Sequence, residues 1–73
     1  MKATLEFNLH EDQHDFDCAV NGAKWMSAMW DLDQWLRSQT KYAPDTMSAD
    51  THKAFEECRE KLHEILNSEG LKL

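Results

Sequence analysis

The sequence predicts a mainly α fold: an N-terminal β-strand, a long helix, and a second helix antiparallel to it, the hairpin being completed by oligomerisation. Three observations predict it. First, the stretch Ala23 to Tyr42 holds all three tryptophans, and Trp25, Met29, Leu32 and Leu36 fall at i, i+4, i+7 and i+11, one helical face. Second, Thr51, Phe55, Cys58, Leu62, Ile65 and Glu69 trace the face of another helix, with Leu66 beside it. Third, 73 residues make one small domain, which buries only about 60% of its unfolded surface and needs a support such as a disulfide, a metal or a partner.

Residues 2–9 come first. Ala3, Leu5, Phe7 and Leu9 alternate with Lys2, Thr4, Glu6 and Asn8, a period of two that reads as a strand with one buried face. A lone strand needs a backbone partner. The candidates are Leu71-Lys72-Leu73 and the same strand of a second subunit across a two-fold axis.

The first helix is expected over residues 11–40. Asn8 and Glu11 fit a capping box, and Glu11, Asp12 and Asp15 lie near the positive end of the helix dipole. Phe16, Ala19, Ala23, Met26 and Trp30 keep phase across Gly22, which favours one helix over a break at that glycine. The tryptophans are five residues apart, so each is turned about 140° from the last, and no single partner helix covers all three. Met26 and Trp30 form one flank, and Trp35 widens the apolar surface again.

Residues 41–48 form a loop, because Pro44 disfavours helix at Ala43. Ser48 is the expected N-cap of a helix over 49–69, and Gly70 stands where a left-handed C-cap is wanted. Two helices joined by a short loop pack antiparallel.

Charge is uneven along the chain. Residues 1–33 carry seven acids and two bases (−5), and residues 34–73 seven acids and six bases (−1), together the −6 of the whole. No basic footprint for direct nucleic-acid binding exists. No apolar run of about 18 residues and no signal peptide is visible, so a reducing cytoplasm with Cys18 and Cys58 as free thiols is expected. The acidic face of Glu11, Asp12, Asp15 and Asp17 suits a solvated helix surface, a basic protein partner, or imitation of a phosphate backbone.

Chemistry-bearing spacings are present but incomplete. Glu11–His14 and Glu60–His63 are E-x-x-H pairs, yet the further glutamates of a di-iron bundle are missing, and Glu60 and His63 read as pointing away from the apolar stripe. His10, His14 and Cys18 follow at i+4 steps and lack the base that H-E-x-x-H chemistry requires; exposed histidines are the plainer reading. Glu57 and Glu60 match a magnesium-binding E-x-x-E, whose second acidic pair only a partner subunit's Asp12 and Asp15 would supply. Lys53, Arg59 and Lys61 among them read instead as a salt-bridged exposed face. No catalytic residue, cofactor or metal is therefore expected. The interface candidates are Trp25, Met29, Trp30, Leu32 and Trp35, with Leu5 and Phe7 of the strand.

The chain also resembles small acidic proteins of tailed bacteriophages. The residues that carry the likeness are Phe7-Asn8-Leu9, then Trp30-Asp31-Leu32-Asp33-Gln34-Trp35-Leu36-Arg37, then Lys41-Tyr42, and finally Arg59 to Leu71. The resemblance spans nearly the whole chain and contains no catalytic motif. It implies a phage origin, the host cytoplasm as location, and a protein-binding role such as inhibition of a host defence or nucleic-acid enzyme. The expected partners are a second copy of the chain, as a homodimer, and a host protein. A metal- or nucleotide-dependent enzyme assembled across subunits is the alternative, and a structural factor of a phage assembly is a third.

Overall fold

Two α-helices, α1 (Gln13–Lys41) and α2 (Ala49–Ser68), account for the regular structure in a computed structural model that describes all of residues 1–73. They form the expected hairpin, packed side by side through the loop 42–48. No helix is long and apolar enough to cross a membrane.

Helix α1 runs through Gly22 without a break. Its start differs from the capping box read in the sequence. Asp12 is the N-cap, and its Oδ2 accepts the Asn8 backbone N–H at 3.1 Å. Asn8 Oδ1 accepts the His10 N–H at 3.1 Å. The carboxylate that reaches back to Asn8 is thus four residues on instead of three, because a turn over Asn8–Glu11 precedes the first helical residue. The helix begins at residue 13 rather than 11.

Helix α2 has well-formed ends. Ser48 accepts the Thr51 N–H on its side-chain oxygen at 3.1 Å. At the other end Gly70 adopts φ 70°. The Leu71 N–H donates to Leu66 C=O at 2.8 Å and the Gly70 N–H to Asn67 C=O at 3.1 Å. This crossed pair is a Schellman motif, which satisfies two carbonyls that the helix leaves open.

The strand expected over 2–9 does not form, nor does a strand over 71–73. The alternation is real, but Leu71–Leu73 turns back over the end of α2, so no second strand stands beside the first. Without a ladder partner, backbone groups do better with water than with a fixed extended conformation. Leu5 and Leu9 are exposed. Phe7 alone docks, edge-on against Phe16 with ring centroids 5.7 Å apart.

The seam between the helices lies one position round from the face read in the sequence. On α1 the seam runs through Met29, Asp33, Leu36 and Thr40, which are all shielded; on α2 the shielded residues are His52, Phe55, Arg59, Leu62, His63 and Leu66. Leu32, Cys58, Ile65 and Glu69 are exposed instead. Leu36 is the sole buried apolar residue, and the other buried residue is an aspartate.

Candidate functional site

Asp33 sits midway along the seam with 2% of its surface exposed. Its Oδ1 accepts Arg59 Nε–H at 2.9 Å and His63 Nε2–H at 2.6 Å. Its Oδ2 accepts Arg59 Nη2–H at 3.3 Å and Gln34 Nε2–H at 3.2 Å. Arg59 and His63 are i, i+4 on α2, so one helical turn presents both donors to a single carboxylate. Because a carboxylate only accepts, the His63 nitrogen facing it carries the proton.

The electrostatics follow from that geometry. The Arg59 hydrogen bond is the main cause that lowers the Asp33 carboxyl to about 2; the His63 hydrogen bond and both charges add to it, while burial opposes it. The same hydrogen bond holds the Arg59 guanidinium above its ordinary value. No buried polar side-chain atom is left without a partner. Four bonds saturate the carboxylate, so it has no lone pair directed at a ligand. It is a clasp, and its chemistry is structural.

Helical periodicity does not reveal this clasp, because it gives Asp33 no role and points Glu60 and His63 away from the apolar stripe. His63 in fact faces α1, while Glu60 is exposed at the rim of an open hollow of about 460 Å³ with Thr40, Glu56, Arg59 and His63. The available signal was the spacing Met29, Asp33, Leu36, Thr40 against Phe55, Arg59, Leu62, Leu66. Both are near-heptad stripes interrupted once by a charge, and the two charges are opposite.

The interface candidates fall on three sides of α1. Trp25 is 64% exposed and Trp30 48% exposed, and Leu32 is also open to solvent. Trp35 lies edge-on to Phe55 at 5.7 Å, which ties it to α2 on one side only. Met29 is half-buried in an apolar groove of about 360 Å³ with Gly22, Trp25, Met26, Leu66, Leu71, Lys72 and Leu73. On the opposite flank, Trp30, Arg37, Arg59, Leu66 and Lys72 help line a wider groove of about 710 Å³. The hairpin does not bring the three tryptophans together.

The acidic residues Glu11, Asp12, Asp15 and Asp17 gather at the start of α1, far from α2. None of them makes an ion pair within the chain; Asp17 accepts only the Gln13 amide at 3.0 Å. His14 Nε2 approaches Cys18 Sγ at 3.7 Å. On α2, Lys53–Glu57 (3.8 Å) and Lys61–Glu64 (3.2 Å) lace the exposed face, and His52 at the edge of the seam meets Glu56 at 3.1 Å. No three His, Cys, Asp or Glu side chains gather closely enough to hold a metal ion. Compared with protein-family models, curated proteins and solved structures, the chain matches none.

Proposed function

We propose that this chain is a non-enzymatic protein-binding module that associates first with a second copy of itself. One observation carries the reading, the amount of surface left uncovered. The accessible area is 6453 Å², whereas a compact monomer of its mass exposes about 4,700 Å². The excess of about 1,750 Å² per chain, about 3,500 Å² for two chains, falls in the range that obligate homodimer interfaces bury. The radius of gyration, 17.6 Å, likewise exceeds the roughly 11 Å of a compact chain of this length. The uncovered apolar area is concentrated on α1, at Val20, Trp25, Met26, Trp30, Leu32 and Trp35, and tryptophan is enriched at binding hot spots.

The finer reading, a phage protein that disables a host defence or nucleic-acid enzyme, rests on the resemblance and the acidic first half of the chain. It adds a host protein as a second partner on the faces that self-association leaves free. Sedimentation equilibrium across the micromolar range tests the module reading. The expected outcome is a reversible dimer that Trp30→Ala weakens. A monomer at every concentration overturns it.

A further inference from the structure

The overhang of α1 and the charges at its two ends fix how a second copy sits. This inference rests on the self-association proposed above and goes beyond it by assigning orientation and register. At about 1.5 Å per residue α1 is roughly 43 Å long and α2 roughly 30 Å, so the two cannot be matched. The end of α2 reaches the level of Gly22 to Met29, where Leu66 and Leu71 share a groove with them. Residues before that level have no helix beside them.

Asp12, Ala19, Ala23, Met26, Trp30 and Arg37 lie along one side of α1, within about 60° of arc at roughly 100° per residue. The stripe is acidic at one end, apolar in the middle and basic at the other. Arg37 makes no ion pair within the chain, and it lines the wide groove together with Trp30, Arg59 and Lys72. Asp12 has no cationic partner either; its carboxylate accepts only a backbone N–H.

We infer that two copies pack antiparallel along this stripe, with the two-fold axis crossing α1 between Lys24 and Trp25. That one axis sets Ala23 opposite Met26, Ala19 opposite Trp30, and Asp12 opposite Arg37. Small residues face large ones, which lets side chains interdigitate. Each acidic helix start enters the partner's basic groove. A parallel arrangement sets Asp12 on Asp12, Trp30 on Trp30 and Arg37 on Arg37, repelling at both ends. The stripe covers Met26 and Trp30 of the exposed apolar residues, and the charge order selects a second copy reversed.

Cysteine cross-linking tests the register in a Cys18→Ser, Cys58→Ser background. A mixture of Ala19→Cys and Trp30→Cys chains is expected to form a mixed disulfide dimer on oxidation, while Ala19→Cys alone does not. In the antiparallel register the two Ala19 positions stand about 16 Å apart along the axis, beyond disulfide reach. Ala23→Cys with Met26→Cys gives a second mixed pair that keeps Trp30 intact. Asp12→Arg and Arg37→Asp are each expected to weaken association about tenfold, and the chain carrying both to recover it. Self-linking of Ala19→Cys overturns the orientation. A dimer that forms none of these links overturns the register and leaves the module reading standing. A monomer throughout overturns both.

Discussion

The Asp33 carboxylate and the Arg59 guanidinium form a two-point ion pair, 2.9 Å at Oδ1 and 3.3 Å at Oδ2, between helices joined only by a short loop. With Leu36 the only buried apolar residue, this pair does for the hairpin what a larger core does elsewhere. It fixes which turn of α2 lies against which turn of α1. A slide of one turn leaves the carboxylate buried without its donors.

Removing one partner is therefore expected to cost more than replacing both. Asp33→Ala leaves Arg59 partly shielded and unpaired, and a loss of about 2–3 kcal/mol is expected from urea unfolding followed by circular dichroism. The double variant Asp33→Leu, Arg59→Met is expected to recover most of that loss, giving a coupling above about 1 kcal/mol in a double-mutant cycle.

Acid sensitivity follows from the same carboxylate. Its folded-state pKa, about 2, lies below the ordinary 3.8, so the stabilisation is complete above the unfolded value and fades as the pH falls from about 5 towards 2. The shift corresponds to about 2 kcal/mol. Unfolding at pH 7 and pH 3 should show a larger acid loss for the native chain than for Asp33→Asn. Equal losses would show that other groups set the acid limit.

The two glycines should respond in opposite directions to alanine. A Cβ on either meets nothing within 4 Å, so backbone conformation alone decides. Gly70, at φ 70°, is expected to lose about 1 kcal/mol on Gly70→Ala because the left-handed conformation penalises a side chain. Gly22 lies inside α1, and Gly22→Ala is expected to gain about 0.5–1 kcal/mol. Paired thermal melts measure both.

Ser48 supplies the one side-chain N-cap in the fold. Ser48→Ala is expected to cost about 1 kcal/mol and Ser48→Asp almost nothing, since aspartate accepts the same Thr51 N–H and favours the helix dipole.

Helices, loop and caps were legible in the sequence because local rules govern them. Ser48, Pro44 and Gly70 mark boundaries that depend only on near neighbours. The seam was less legible. The stripe Trp25, Met29, Leu32, Leu36 is the more apolar choice, and hydropathy alone selects it over one containing Asp33. The observed seam is preferred because Asp33, Arg59 and His63 satisfy one another, a long-range match that single-helix periodicity does not contain. The strand over 2–9 failed for a related reason: alternation states which face of a strand would be buried, not whether a neighbouring strand exists.

The unequal lengths of the helices also have a kinetic meaning. Residues 13–21 form about two and a half turns of helix standing beyond α2, shorter than the roughly 12–15 residues that an isolated helix needs to persist in water. Their amide protons should exchange with solvent far sooner than those of Asp33 to Ser38, and should slow once another surface covers them. In the proposed dimer, folding of that end is linked to association, and amide exchange at Ala19 and Val20 is expected to slow as the chain concentration rises.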